Sequence, residues 1–174
     1  PSRFTLTLPP LKAVILKGKE AGPKRAGVLL HPTSLPAACG NGVLGPAAYR
    51  FLDFLKEGGQ KLWQILPLTP PLMGDSPYLS ESAFAGNEAL ISLEVLRDWG
   101  WLKQEAYDDF LAKGKKTSSW HALAAYKAEL LWQMSHDPEL TIPWEPFRAF
   151  CEKNAYWLDD YALFRAVRDF FSGR

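Results

Sequence analysis

The fold is decided by residues 27–68, in which two apolar runs, GVLLH (27–31) and LWQILPL (62–68), flank a stretch with the pattern of a helix. Neither run alternates regularly between apolar and polar residues, which is typical of strands that are covered on both faces of a parallel sheet. Between them, residues 46–57 begin with proline and are followed by two glycines, a favoured start and stop for a helix. This order predicts two parallel neighbouring strands joined by a right-handed crossover.

The composition excludes several classes of protein. Of the 174 residues, 47% are apolar and 22% are charged, which is ordinary for a soluble globular domain. The net charge of +1 offers no electrostatic basis for binding nucleic acid or an anionic membrane, and no apolar run reaches the roughly 18 residues of a membrane span. Two cysteines, Cys39 and Cys151, are too few for a disulfide scaffold or a cysteine-rich zinc site. The unusual feature is the aromatic content, with 7 Trp, 6 Tyr and 10 Phe.

Outside residues 27–68 the sequence pattern is mainly that of helices. Residues 1–24, with a possible strand at 12–16, are expected to form a lead-in tail. Residues 90–96 are expected to be a short strand or an extended segment. Helices are predicted over residues 106–113, from a serine cap at Ser118 or Ser119 to Met134, and over residues 144–171.

Two helix faces are predicted to be buried from their periodicity. On the first helix these are Tyr49, Phe51, Leu52 and Leu55. On the last helix the stripe is longer and mostly aromatic, and it is expected to form core rather than a ligand site: Trp157, Tyr161, Phe164, Val167 and Phe171.

The loop at residues 69–87 is the strongest candidate for a functional segment. A stretch of nearly twenty residues without regular structure is uncommon unless it is functional, and it leaves the carboxyl end of a strand, where α/β proteins bind ligands. Its serines, acids and tyrosine provide donors, acceptors and an aromatic face, which suit a sugar. The alternative is a packed loop whose polar side chains bond to their own backbone.

Other patterns are weaker. Residues 40–45 match G-x-G-x-x-G, but they lie far from the preceding strand and the acid of a dinucleotide site is missing, so a tight packed loop is favoured over nucleotide binding. The three histidines form no metal-ligand cluster, and His31 is expected to orient a loop or to touch a ligand. Asp75 and Glu81 resemble a glycosidase pair only in residue type, since neither their separation nor a shifted pKa is indicated.

Several stretches, taken together, resemble one family. They are RAGVLLHPTSLP (25–36), GPAAYRFLDFL (45–55), LWQILPL (62–68), GDSPY (74–78), SAFAGN (82–87) and YWLDDYALF (156–164). In this order and spacing the chain resembles the N-terminal portion of the 4-α-glucanotransferases, the amylomaltase or disproportionating-enzyme family. The resemblance covers residues 25–171 and is weakest across residues 98–150.

The resemblance implies an α/β fold, the N-terminal part of a (β/α)8 TIM barrel with a helical insertion subdomain. Residues 25–97 would be the first β/α units with a long substrate loop, and residues 98–174 the helical insertion, so that the barrel is incomplete. It implies retaining transfer of α-1,4-glucan segments between malto-oligosaccharides or to glucose, in the cytoplasm, without metal or organic cofactor.

The resemblance places no catalytic residue in this chain, because the family's Asp nucleophile, Glu acid/base and second Asp follow later strands. It places two substrate-binding residues: Tyr78, which would stack on the sugar, and Ser76, which would bond to the glucan. Met73 and Leu79 depart from the tyrosine and glutamine that family members often carry there. A non-catalytic glucan-binding module and a hydrolase of the wider α-amylase superfamily are the alternative functions.

Overall fold

The structure, a computed structural model, describes residues 25–72, 76–117, 119–140 and 143–171. It is mixed α/β. Its elements are β1 (Gly27–Leu29), α1 (Pro46–Glu57), β2 (Leu62–Gln64), α2 (Leu93–Asp98), α3 (Gln104–Lys116), α4 (Trp120–Ser135) and α5 (Trp144–Phe171), with 3₁₀ turns at Pro32–Ser34 and Glu88–Leu90. The expected tail at residues 1–24 and its possible strand lie outside the described residues.

The parallel pair of strands is confirmed. β1 and β2 pair in register with Val28 opposite Trp63, and the indole Nε1 of Trp63 donates to the carbonyl of Leu30 at 2.7 Å. Both strands are shorter than predicted, and their burial was predicted wrongly. Only the central residue of each strand is half-buried, and Leu29 is 58% exposed, because in the described part of the chain the sheet has these two strands alone.

Helix α1 has the predicted bounds, with Gly45 before its first residue and Gly58 after its last. Its buried face differs from the prediction. Leu55 is buried as expected, but Ala48 takes the second buried position, while Tyr49 and Leu52 are largely exposed. The periodicity identified the helix correctly, but it did not indicate which side of the helix meets the rest of the chain.

The segment at residues 90–96 was predicted wrongly as a strand or extended segment. Helix α2 begins at Leu93 because the hydroxyl of Ser92 accepts a hydrogen bond from the backbone N–H of Val95, which is a standard N-terminal cap. Only Ile91 keeps some strand character, through an isolated bridge to Leu44.

The apolar core lies among α2, α3 and α4, not at the strands. Its members are buried residues that the three helices and the α2–α3 connection contribute: Leu93, Leu96, Leu102, Tyr107, Phe110, Leu123 and Leu130. The predicted helix that ends near Met134 is confirmed, with Ser119 as its cap. This core holds the helical region together and places α4 against the 3₁₀ turn at Glu88–Leu90.

Helix α5 has the predicted bounds, but its aromatic stripe is not core. None of its 28 residues is buried, and Phe164, Val167 and Phe171 are 46%, 47% and 80% exposed. Of the predicted stripe, Trp157 does contact the rest of the described chain, but the contact side also includes Arg165 and Arg168, which an apolar stripe leaves out. No helix among the described residues has both the length and the apolarity needed to cross a bilayer.

Candidate functional site

The loop at residues 69–87 folds back on itself. Pro71 and Ser80 form an isolated antiparallel bridge, and the N–H of Leu72 donates to the carbonyl of Leu79 at 2.7 Å. These contacts bring the two arms of the loop together and leave a turn between them. Residues 73–75, which include Asp75, lie outside the described residues.

Tyr78 lies at this turn and is 75% exposed, one of the most exposed aromatic side chains in the described chain. The carbonyl of Ser76 accepts a hydrogen bond from the N–H of Leu79 at 3.1 Å, which closes the turn around the tyrosine. An exposed ring on a backbone-braced turn offers an apolar face of the kind that stacks on a sugar. Ser76 and Tyr78 are therefore brought together, two residues apart, at the same turn.

Three polar side chains in the second half of the loop bond to the backbone of the loop or of the turn after it: Ser80, Ser82 and Asn87. The hydroxyl of Ser80 donates to the carbonyl of Pro70 at 2.9 Å, and that of Ser82 accepts from the N–H of Ala85 at 3.0 Å. Asn87 caps the following 3₁₀ turn by accepting from the N–H of Ala89. These residues behave as the packed-loop alternative predicted. The candidates for sugar binding in the described part of the loop are therefore Ser76 and Tyr78.

An open cleft of about 910 Å³ lies beside this loop. His31 and Thr69 line it from the carboxyl-terminal sides of the two strands, and Lys127 and Arg165 line it from α4 and α5. Neither Ser76 nor Tyr78 lines the cleft. Pro77, which lies between these two residues, does line the cleft, so the turn borders it.

His31 has the loop-orienting role that was one of its two predicted roles. Its Nδ1 lies 2.8 Å from the hydroxyl of Thr33 and accepts from the N–H of the same residue, so that it caps the 3₁₀ turn at Pro32–Ser34. Its Nε2 is buried and has no hydrogen-bond partner among the described residues.

Glycines of the segment at residues 40–45 are packed closely against the protein. A side chain at Gly42 would place its Cβ 2.3 Å from the carbonyl oxygen of Pro32, and one at Gly45 would lie 2.5 Å from the hydroxyl of Ser92. Gly40 has φ +67°, a left-handed conformation that glycine adopts without strain. These glycines serve close packing, as the packed-loop interpretation predicted.

The comparison with protein families decides what the chain is related to. The family model described as 4-alpha-glucanotransferase matches residues 30–174. The chain belongs to this 4-alpha-glucanotransferase family. The resemblance in the sequence is thereby confirmed.

Individual members of the family are similar over most of the chain. A 4-alpha-glucanotransferase of Thermus thermophilus is 44% identical over 155 residues, which is 87% of this chain and 30% of that protein. The chloroplastic/amyloplastic enzyme of Solanum tuberosum is 41% identical over 153 residues, 83% of this chain and 26% of that protein. The solved amylomaltase from Streptococcus agalactiae in complex with acarbose is 33% identical, with a TM-score of 0.63 over 87% of this chain and 31% of its own. The chain thus spans about 30% of the length of such relatives.

In this family member, Glu81 is an ion-paired residue rather than a free acid. Its side chain is 5% exposed, its Oε1 accepts from Nη1 of Arg168, and its Oε2 lies 3.8 Å from Nη1 of Arg165. Both oxygens of this carboxylate therefore face guanidinium groups of α5. The sequence reasoning missed both arginines, and their spacing of three residues on one helix is the signal that could have found them.

Lys127 is a buried lysine, and the half-buried Cys39 is close enough to influence its charge. The lysine is 6% exposed, and its Nζ donates to the carbonyl of Ala89 at 2.6 Å. Burial lowers the pKa of Lys127 to about 8 and raises the pKa of the Cys39 thiol. The lysine fixes α4 to the segment that follows the loop.

The described residues provide no candidate metal centre. No group of three or more histidine, cysteine or acidic side chains lies close enough together to hold a metal ion in the part of the chain that the structure describes. Cys39 and Cys151 are free thiols.

Proposed function

We propose that this chain is the N-terminal part of a 4-α-glucanotransferase, which transfers α-1,4-glucan segments from one malto-oligosaccharide to another or to glucose. The observation that carries the proposal is membership of the family over residues 30–174 together with an exposed tyrosine in the GDSPY motif. The enzyme acts in starch and glycogen metabolism, in the cytoplasm, and requires no cofactor.

The proposed architecture is a (β/α)8 barrel with a helical insertion. Residues 25–97 form its first β/α units and residues 98–174 the insertion, with residues 1–24 as a tail. The parallel β1–α1–β2 unit supports the barrel. The exposure of Leu29 and Leu62 supports it as well, since strands of a barrel have further strands and an outer layer of helices around them.

In the proposed mechanism this segment binds sugar and does not cleave it. The ring of Tyr78 packs against the apolar face of a glucose unit, while the hydroxyl of Ser76 bonds to a hydroxyl of the glucan. Covalent catalysis in the family uses an Asp nucleophile, a Glu acid/base and a second Asp on later strands. Positioning the donor near those carboxylates is the contribution of the Ser76–Tyr78 turn, because correct placement of the sugar lowers the barrier to its transfer.

The test is substitution of Tyr78 in the full-length protein with maltotriose as substrate. Tyr78→Ala removes the stacking face and should lower kcat/KM for disproportionation about tenfold, which corresponds to roughly 1.4 kcal/mol of lost binding. Tyr78→Phe keeps the ring and serves as the matched control, with a smaller effect. Because the side chain is 75% exposed, neither variant should lower the Tm. Unchanged kcat and KM in Tyr78→Ala would refute the assignment.

A further inference from the structure

Helix α5 contacts the loop at residues 69–87 through an ion-pair cluster around one buried acid. We propose that Glu81, Arg165 and Arg168 form a clamp that positions the turn bearing Ser76 and Tyr78, and that Glu81 is a positioning residue for glucan binding. This inference rests on the proposed function of that turn. We refer to these three residues as the arginine clamp.

The first support is the burial of the acid. Glu81 is 5% exposed at its side chain, whereas the side chains of Arg165 and Arg168 are 27% and 31% exposed. A carboxylate that leaves water must be compensated by charged partners, and removing one partner of such a group is strongly destabilising. Glu81 and Arg168 are 87 residues apart in the chain, so their contact joins two distant segments.

The second support is the route from the acid to the turn. The N–H of Glu81 donates to the carbonyl of Pro70 at 3.2 Å, and the preceding residue, Ser80, bridges to Pro71. These contacts form the base of the two-armed loop whose turn carries Tyr78. A shift of Glu81 therefore moves one arm of the loop against the other.

The third support is that Arg165 is itself held in place. Its Nη2 donates to Glu88 at 2.9 Å, and its Nη1 donates to the hydroxyl of Tyr161 at 3.2 Å. One guanidinium thus faces an acid within the loop and another just beyond its end. The guanidinium hydrogen-bonds to Glu88, whereas its Nη1 lies 3.8 Å from Oε2 of Glu81, an ion pair without a hydrogen bond.

An apolar contact attaches the same loop to α5 independently of the clamp. The ring of Phe84 lies 5.4 Å from that of Tyr156 in an edge-to-face contact and 5.9 Å from that of Trp157 in a stacked one. With this contact intact, loss of the clamp should loosen the loop without detaching it from the helix.

The experiment compares Glu81→Gln with Asp169→Asn in the full-length protein. Asp169 lies 3.5 Å from the same arginine, Arg168, but makes no hydrogen bond or ion pair with the loop in the described structure, so it is a matched control for charge. The first measurement is amide hydrogen exchange of residues 70–90 without substrate. The second is steady-state kinetics with maltotriose, and the third is the Tm.

The clamp predicts faster exchange of residues 70–90 in Glu81→Gln and a KM for maltotriose raised about tenfold, with a smaller change in kcat. Misplacing a binding group by about 1 Å can cost up to roughly 100-fold. Asp169→Asn should match the wild type. Arg168→Lys keeps the charge but loses the fork, and an intermediate KM is expected. Should Glu81→Gln lower the Tm greatly, the comparison of Arg168→Lys with the wild type provides the same test.

Unchanged exchange in Glu81→Gln would overturn the clamp whatever the kinetics show, and so would the same KM rise in Asp169→Asn. Faster exchange with an unchanged KM would overturn the role in glucan binding. Failure of the proposed function would give a different result. In that case Tyr78→Ala would leave turnover of maltotriose unchanged, while Glu81→Gln would still speed the amide exchange of residues 70–90.

Discussion

Lys127 makes the stability of this protein depend on pH in a direction that can be calculated. Its pKa falls from 10.5 to about 8 because the ammonium group is buried. At pH 7 the lysine is charged in both the folded and the unfolded chain. Above pH 8 it is neutral when folded but still charged when unfolded, so unfolding takes up a proton and the free energy of unfolding rises with pH.

The expected magnitude follows from the size of the shift. One pKa unit corresponds to 1.36 kcal/mol, so the two pKa values predict a gain of about 2 kcal/mol between pH 7 and 9.5, lost in Lys127→Met. The hydrogen bond to Ala89 survives the titration, because a neutral amine still donates. A lysine stabilised by an acidic partner has a raised pKa, so its contribution to the free energy of unfolding falls as the pH rises, which is the opposite of the change expected here.

The assay is urea unfolding of the full-length protein and of Lys127→Met at steps from pH 7 to 9.5, followed by fluorescence. The difference between the two proteins isolates the lysine, because all other groups titrate in both. Cys39 interacts electrostatically with Lys127. The pH series is therefore repeated for both proteins with Cys39→Ala added to each. Parallel curves across this range would refute the reasoning and would show that the lysine is hydrated.

Two further predictions concern packing. Gly42→Ala should destabilise the protein by roughly 1–3 kcal/mol in thermal unfolding, because its Cβ would lie 2.3 and 2.6 Å from backbone oxygens. Gly86→Ala, with open space around it, should have no effect. Equal effects of the two substitutions would contradict the close packing at Gly42. Phe110→Ala should lower the urea midpoint by an amount equivalent to about 3–5 kcal/mol because Phe110 is 8% exposed, and the exposed neighbour Asp109→Ala should change it little.

The sequence predicted local features of the fold well, because local signals determine them. Pro46 and the glycine that follows Glu57 set the bounds of α1, and the hydroxyl of Ser119 caps α4. A missed local signal caused the error at α2. Ser92 caps that helix, but the apolar residues around it favoured a strand.

The candidate site was predicted only in part for a physical reason. The sugar-binding role of Tyr78 comes from the resemblance of GDSPY to the family and stays a prediction, while the structure shows that the residue is exposed. The partners of Glu81 are 84 and 87 residues away, and nothing local to the acid indicates them. The cleft could not be predicted for the same reason, since segments far apart in the chain form it: the ends of two strands, a loop and two helices.

The buried face of α5 was predicted wrongly, and the arginine clamp was missed, for the same reason. The residues that face the loop, Trp157, Tyr161, Arg165 and Arg168, are spaced by four, four and three positions, which is a helical stripe. This stripe shares Trp157 and Tyr161 with the predicted apolar one. At about 100° per residue, its centre is rotated by about 55° from that of the apolar stripe, because it includes the two arginines. The long stems of arginine pack like apolar side chains while their heads bind acids. A helix face that mixes aromatic residues with arginines should therefore be examined as a contact face whenever a buried acid lacks a local partner.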